Sequence, residues 1–334
     1  MKNLIAKAVY EIKQKNMKKY IVSGLLFSLS MYGEKRNESV VSHQNILTIT
    51  QKDRHVEEGP RYGAYIHSKN CSFEVLINDI PVIKYNDDSG NGLTGSYFQL
   101  NEGIFKKGNQ KITIKMTPGF NPDQKALESL LSPNSEIQLK IVKSFKNQTG
   151  NPEENEVRKY STSKKKLGNS PSFEDSFTFF ADIPYHIETL ENAEVLLTDD
   201  KDKLQAIEQE VVAQYNKIRD IYRNGSWSAL AAIYYNREKR AAKQLYLLPD
   251  EIKHRWNDYV FRTNTDITSF DVKPIEDYKM TFYADGKIVC LQKIDNGKSV
   301  LWGHFKRKGK DNVTTTYITL YLYRPKGTKD LEVY

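Results

Sequence analysis

Cysteine is scarce in this chain, as are the other residues that commonly mark catalytic and metal sites. The 334 residues include 2 cysteines, 6 histidines and 3 tryptophans. Cys71 and Cys290 stand far apart, so their spacing indicates neither a disulfide framework nor a zinc site. No Gly-x-Ser-x-Gly or His-Glu-x-x-His pattern occurs. The sequence therefore predicts no metal, no cofactor and no identifiable catalytic residue, and it favours a protein that is not an enzyme.

Long apolar runs are also missing, and the positive charge is unevenly distributed. No stretch approaches the roughly 20 apolar residues that span a bilayer, so no transmembrane segment is predicted. The net charge is +8, but residues 1–33 carry six lysines against one glutamate and so hold five of these charges. A nucleic-acid-binding protein normally concentrates its basic residues on one face. The weak charge of the remaining chain therefore predicts no nucleic-acid partner.

The basic N-terminal region has the pattern of an export signal. Lys18-Lys19 precedes an uncharged and largely apolar stretch at 20–33, which has the length of a secretory signal and is too short for a membrane anchor. A buried N-terminal helix is the alternative. Either Met1 or Met17 is compatible with this pattern as the first translated residue. We therefore expect residues 1–33 to be an export signal and the protein to be periplasmic or associated with the envelope.

The segment from Leu29 to Glu38 resembles the end of a bacterial lipoprotein signal. In that family a cysteine follows a small residue and carries the lipid, and Lys, Asn and Glu often come next. Here Glu34 follows Gly33. The resemblance therefore implies export of a bacterial envelope protein but supplies no residue for a lipid anchor.

Alternating apolar residues predict a β-sandwich module over residues 44–182. Phe73, Val75 and Ile77 share one face of a strand, as do Ile112, Ile114 and Met116 of another, with Lys111, Thr113 and Lys115 directed outward. Ile137–Ile141 has the same period, and residues 173–183 predict one more strand. Residues 146–172 are polar and lack apolar periodicity, which predicts a linker or a long surface loop.

The sequence from Cys71 to Met116 resembles the jelly-roll accessory domains of bacterial envelope and carbohydrate-active proteins. The resemblance is carried by "FEVLINDIPV" and "YFQLNEGIFKKGNQKITIKM", and it implies a sandwich scaffold without implying sugar binding. The loop from Tyr85 to Ser96 contains Asn86, Asp87, Asp88 and Asn91. A solvated hairpin loop is the preferred interpretation, and a calcium or glycan site is the alternative.

Residues 190–334 predict three helices followed by antiparallel strands. Apolar residues repeat at helical spacing from Leu204 to Tyr222, Asn224-Gly225 ends this helix, Ser226 caps the next and Pro249 opens the third. Tyr278–Tyr283, Lys287–Lys293, Val300–Phe305 and Thr314–Arg324 are the predicted strands, with turns at 284–286 and 296–297. The fold class is therefore α+β with two modules, a β-sandwich followed by three helices and a curved antiparallel sheet.

The second module is similar in element order to the cone-shaped, cystatin-like fold of the nuclear-transport-factor-two kind. The stretch "YNKIRDIYRNGSWSALAAIYY" at 215–235 carries the resemblance. The resemblance implies a helix-lined cone, which holds catalytic side chains in the enzymes of that fold. His186, His254 and His304, and the acids Asp220, Asp250 and Asp258, lie in or near the module, but no spacing fixes a catalytic pair.

Two functions remain open, and the first is preferred. In the first, the protein is a non-catalytic envelope binding protein, and one concrete version is an immunity protein that neutralises a toxin delivered by neighbouring cells. In the second, it is a small-molecule-binding enzyme with cyclase- or isomerase-like chemistry. The partner is accordingly another protein or a small ligand. The candidate binding face consists of Trp302, Tyr317, Tyr321 and Tyr323, because adjacent strands would bring these rings to one surface. Packing of these rings as core is the competing interpretation.

Overall fold

The computed structural model describes residues 43–49, 58–145, 153–162, 167–259 and 267–334. The predicted export signal at 1–33 lies outside these residues. Within the described part of the chain, no helix combines the length and the apolar character needed to cross a membrane. The order of elements confirms the α+β class, since antiparallel strands come first and three helices then precede further antiparallel strands.

The first module is a sandwich of two four-stranded antiparallel sheets. Their strand orders are β4-β1-β8-β9 and β10-β5-β2-β3, and a two-stranded hairpin, β6-β7, projects from them. Apolar side chains from both sheets share one core. The strands are β1 Pro60–Lys69, β2 Cys71–Ile77, β3 Ile80–Tyr85, β4 Leu93–Gln99, β5 Gly108–Pro118, β6 Phe120–Asn121, β7 Ala126–Leu127, β8 Glu136–Phe145, β9 Glu154–Ser161 and β10 Phe173–Ala181.

The alternation read from the sequence places most strand residues on the correct face, with one informative exception. Ile112, Ile114 and Met116 are fully buried in the sandwich core. Thr113, which was predicted to point outward, is also buried. It lies opposite Leu76 on β2, and Leu76 packs with residues of the second module. The second module therefore covers the part of this outward face around Thr113, whereas the outward side chains of β10 remain exposed.

Part of the polar stretch at 146–172 belongs to the sandwich. Residues 154–161 form β9, which pairs with β8 at the edge of a sheet, where the sequence predicted a linker. Most of its side chains are exposed. An edge strand needs only one partner and buries little, so its sequence lacks the apolar alternation by which strands are usually recognised.

The second module begins with the predicted helices. They are α2 Lys201–Asn224, α3 Trp227–Leu245 and α4 Pro249–Tyr259. Helix α2 ends at Gly225, whose φ of 68° is a left-handed conformation that favours glycine. The Ser226 side chain accepts a hydrogen bond from the Ala229 amide and caps α3. The helix bounds predicted from caps and breakers are thus confirmed.

A short N-terminal helix, α1 His43–Leu47, packs with this second module. Ile46 and Ile49 are fully buried in the same core as Trp256 of α4. The sequence assigned residues 44–182 to the first module, but the α1 segment contributes to the second one. A chain that crosses back in this way ties the sandwich to the helices from its N-terminal side.

The strands after the helices divide into two sheets, although the sequence predicted a single meander. One sheet has the order β11-β14-β15 and the other the order β12-β13-β16-β17. The predicted strand at 314–324 is interrupted, because the chain leaves one sheet after Tyr317 and joins the other at Leu322. The strands are β11 Ile267–Val272, β12 Tyr278–Tyr283, β13 Ile288–Lys293, β14 Trp302–Arg307, β15 Val313–Tyr317, β16 Leu322–Tyr323 and β17 Glu332–Val333.

The two modules contact each other through an apolar cluster and through two hairpin turns. Leu76 and Ile80 of the sandwich pack with Tyr283 and Ile288 of the second module. The turn at 78–79 meets the turn at 284–286, where the Ala284 amide donates a hydrogen bond of 3.0 Å to the Asp79 carbonyl. The modules therefore share a packed interface.

Candidate functional site

Two of the four predicted binding residues lie side by side on the sheet β11-β14-β15. Trp302 and Tyr317 are directly opposite each other on β14 and β15, and their rings are nearly parallel, with centroids 5.8 Å apart. Both side chains are half-buried. Gly303 and Phe305 alternate with Trp302 and point to the core side. The aromatic pair therefore lies on the face of the sheet opposite the core.

Two lysine side chains, one from β13 and one from the loop between β13 and β14, approach the rings. The Lys293 ammonium lies 5.3 Å from the centroid of Trp302, and the Lys298 ammonium lies 4.9 Å from the centroid of Tyr317. Lys298 also forms an ion pair with Asp88 of the sandwich loop at 85–96. Such cation–π contacts contribute about 0.5–1 kcal/mol at exposed sites. Lys293 likewise lies 4.0 Å from Asp295, so each cation beside the rings also contacts an acidic residue.

A polar row lies beside the aromatic pair. His304 stands opposite Asp271 on one side and Thr315 on the other, with its Nδ1 atom 3.0 Å from the Thr315 hydroxyl. Asp271 is exposed and ion-paired with Lys273, whose ammonium lowers the pKa of that carboxyl. Among the described residues, the Asp271 carboxylate accepts a hydrogen bond from Lys273 and the His304 ring contacts Thr315, and no hydrogen bond joins Asp271 to His304. We call Trp302, His304, Thr315 and Tyr317 the aromatic face.

The turn that joins β14 to β15 extends the aromatic face with positive charge. Four cationic residues, Lys306, Arg307, Lys308 and Lys310, are exposed there. Asp311 is the one acidic residue between β14 and β15. One side of the aromatic face is therefore bordered by a basic hairpin, and the other by Lys293 and Lys298.

The other two predicted residues do not join this face. Tyr323 is 6% exposed, and its hydroxyl donates a hydrogen bond of 3.1 Å to Glu332, so it packs as core at the interface between the modules. The Tyr321 ring stands edge-on to Tyr283 and lines a cavity between the modules. The break in the strand after Tyr317 separates the two pairs.

This cavity has a volume of about 340 Å³. Strand β3 supplies Ile80, Val82 and Lys84, and the second module supplies Arg237, Arg240 and Tyr334. The Lys84 ammonium donates a hydrogen bond of 2.7 Å to the Gly297 carbonyl and so ties the modules together at the rim. Burial lowers the pKa of Lys84, and the charge of Glu74 opposes this effect. The lysine retains accessible surface because it borders the open cavity.

At the wall of the cavity, a largely buried network of charges joins the sandwich to the helices. Arg255 donates two hydrogen bonds of 3.1 Å to Glu102 and one of 2.9 Å to Glu238. Glu238 is 2% exposed and also lies beside Arg237. Burial acts to raise the pKa of Glu102, but the guanidinium groups of Arg255 and Arg237 lower it below its usual value. The network is therefore charged at neutral pH.

The sequence did not single out this network. Arg237-Glu238-Lys239-Arg240 looks like a solvated run of charges, which is the usual interpretation of such runs. Helical periodicity could have indicated that Arg237 is buried. It shares one face of α3 with Ala241 and Gln244, and all three are buried. The Gln244 amide donates hydrogen bonds of 3.1–3.2 Å to the carbonyls of Asn101, Glu102 and Ile104, which extends the same interface.

Neither cysteine is arranged as a nucleophile. Cys71 and Cys290 are buried and free, and burial raises the pKa of each thiol to about 12. Both therefore remain protonated at neutral pH, and the thiolate is the reactive form. Cys290 lines the cavity as a neutral thiol.

The remaining candidate residues lie apart from one another. His186 contacts Glu191 at 3.0 Å, His254 is exposed, and Asp220 pairs with Arg219. Asp250 is exposed, and the Asp258 side chain lies outside the described residues. In the loop at 85–96, Asp87 is buried and accepts a hydrogen bond from the Gly90 amide. Among the residues that the structure describes, no three His, Cys, Asp or Glu side chains are grouped as metal ligands.

Comparison with known proteins gives no relative for this arrangement. No protein-family model, no curated protein and no solved structure matches the chain. Function is therefore argued from the geometry of the aromatic face and the cavity.

Proposed function

We propose that the chain is a non-catalytic binding protein that binds an acidic protein surface through the aromatic face. The observation that carries the proposal is the stacked pair of Trp302 and Tyr317 between two groups of cations. Aromatic side chains offer large, rigid contact area at low entropic cost and are enriched where binding energy is concentrated. Trp302 and Tyr317 would supply this contact area at the centre of the interface.

The positively charged side chains around Trp302 and Tyr317 favour a partner of opposite charge. Lys293 and Lys298 approach the rings on one side, and the basic hairpin at 306–310 lies on the other. Complementary charge accelerates encounter and excludes partners of like charge. An acidic surface would therefore bind here, and a basic one would be repelled.

The cellular setting is part of the proposal. The Lys18-Lys19 pattern with the apolar stretch at 20–33 supports export, and an immunity protein that neutralises an incoming toxin is one concrete version of an exported binding protein. Mass spectrometry of protein recovered from the periplasm of producing cells tests the export step. We expect a mature chain without residues 1–33, whereas a product that retains Lys2 contradicts export.

The binding step can be tested with a synthetic peptide of alternating Asp and Tyr as a model of an acidic surface. Its basic counterpart, with Lys in place of Asp, is the reference ligand. We expect the acidic peptide to bind at least tenfold more tightly, which corresponds to about 1.4 kcal/mol, and its binding to weaken as salt is added. The double substitution W302A/Y317A should remove this preference.

A matched control exists on the sandwich. Tyr65, which is half-buried, and Tyr97, which is exposed, form another aromatic pair, with ring centroids 5.2 Å apart and the Lys140 ammonium 4.7 Å from Tyr65. The double variant Y65A/Y97A loses the same number of rings beside a lysine and should keep the acidic preference. Equal loss in both double variants, or no loss in either, would show that the aromatic face is not the binding site.

A further inference from the structure

The cavity between the modules has the size and position of a small-molecule site, and it is separate from the aromatic face. Ligand sites commonly measure about 300–1,000 Å³ and occur at domain interfaces, where apolar walls surround a few convergent polar groups. The volume here is about 340 Å³. Ile80, Val82 and Leu320 provide apolar walls. The polar groups then determine which class of molecule fits.

Most of the cationic side chains named around the cavity stand opposite a carboxylate, and Arg240 differs from them. Arg237 and Arg255 face Glu238 and Glu102 in the buried network. Lys84 stands opposite Glu74 on the neighbouring strand. Arg240 packs its guanidinium 4.0 Å from the centroid of the Tyr334 ring, and within the described ranges no carboxylate forms an ion pair with it. The charge of Glu102 also acts on Arg240, but in the described part of the chain the guanidinium rests on a ring and is not engaged in an ion pair.

A second polar group at the cavity is unsatisfied. Tyr334 is 8% exposed and lines the cavity, and its hydroxyl has no hydrogen-bond partner among the residues that the structure describes. A buried hydroxyl without a partner is unfavourable, so a ligand that accepts its hydrogen bond would be stabilised there. Burial also raises the pKa of Tyr334, so the hydroxyl keeps its proton and can donate it to an acceptor.

From this arrangement we infer that the cavity binds a small monocarboxylate with an apolar body. A guanidinium and a tyrosine hydroxyl together suit the two oxygens of a carboxylate. A single guanidinium outside the ion pairs, with Glu102 also at the cavity wall, suits one negative charge better than a doubly charged phosphate. The apolar body would lie against Ile80, Val82 and Leu320, where its burial adds to the affinity.

The experiment uses 4-phenylbutyrate and 4-phenylbutan-1-ol, which have similar size and differ in charge. Isothermal titration calorimetry of the full chain should show that the acid binds and that the alcohol binds at least tenfold more weakly. Arg240→Ala should weaken binding of the acid at least tenfold. Arg240→Gln provides the same test with a shape closer to arginine if the alanine variant fails to fold.

Two further variants separate a ligand role from a structural one. Lys217→Ala removes a positive charge from an exposed position on α2 and should bind the acid as the wild type does. Tyr334→Phe should lower the affinity for the acid without lowering the resistance to urea, because it removes a hydroxyl that has no partner. The inference is overturned if the wild type binds no acid, if the alcohol binds equally well, or if the Arg240 variants match Lys217→Ala.

Discussion

Arg255 should be the most sensitive position for the stability of the interface between the modules. Its guanidinium donates three hydrogen bonds to two carboxylates, those of Glu102 on the sandwich and Glu238 on α3. In Arg255→Met the apolar stem is retained and the charge is lost. Glu238, whose side chain is 1% exposed, then keeps, among the residues that the structure describes, only Arg237 at 4.0 Å.

The expected loss of unfolding free energy in Arg255→Met follows from the burial of Glu238. Removing one partner of a buried ion pair costs about 3–5 kcal/mol, because the remaining charge is left without compensation. The Glu102 side chain retains 40% of its accessible surface, so water can solvate it in part. We therefore expect a loss near the lower end, about 3 kcal/mol, most of which arises from Glu238.

Urea titration at pH 7, followed by tryptophan fluorescence, measures this loss. Trp256 is fully buried and adjacent to Arg255 in sequence, so it reports on the affected helix. The control is Lys159→Met, which breaks an exposed pair with Glu156 and should change stability by less than about 0.5 kcal/mol. Adding Glu238→Gln to Arg255→Met should recover part of the loss. A loss below about 1 kcal/mol for Arg255→Met would refute the reasoning.

Three further predictions concern the second module and the network. Tyr215→Phe should lower the free energy of unfolding, measured by urea titration, by about 1–3 kcal/mol. The reason is that the fully buried hydroxyl donates a hydrogen bond to the Leu320 carbonyl at 2.6 Å and accepts one from the Leu291 amide at 2.9 Å. An unchanged urea midpoint would mean that water replaces the hydroxyl. Gly225→Ala should lower the free energy of unfolding by about 1 kcal/mol, because alanine is strained at the left-handed φ of this position. A melting temperature equal to or above that of the wild type would contradict this. The pKa of Glu102 is lowered on folding, so the ionised carboxylate stabilises the fold above its unfolded pKa of about 4.3, and this stabilisation is lost as pH falls through the folded pKa. Urea titrations at several pH values should therefore show that the difference in unfolding free energy between wild type and Arg255→Met shrinks in acid. A difference that stays constant with pH would contradict the assignment.

Local signals in the sequence determined the helices and most strands. Asn224-Gly225, Ser226 and Pro249 fix helix ends within a few residues, because caps and breakers act on the nearest backbone groups. Alternating apolar residues along β5 identified a strand with one buried face, because successive side chains of a strand point to opposite faces of the sheet. The aromatic pair was predicted in part, since Trp302 and Tyr317 do lie on adjacent strands.

Only the tertiary structure decided which faces are covered and where the strands exchange partners. Thr113 is buried because the second module packs on the outward face of its sheet, and β9 forms because β8 offers an open edge. Tyr321 and Tyr323 leave the aromatic face because the chain passes from one sheet to the other after Tyr317. The charges of α3 are buried because their partners, Glu102 and Arg255, come from distant parts of the chain. Periodicity records how a residue is oriented on its own element, whereas burial and pairing depend on neighbours that are brought together only by folding.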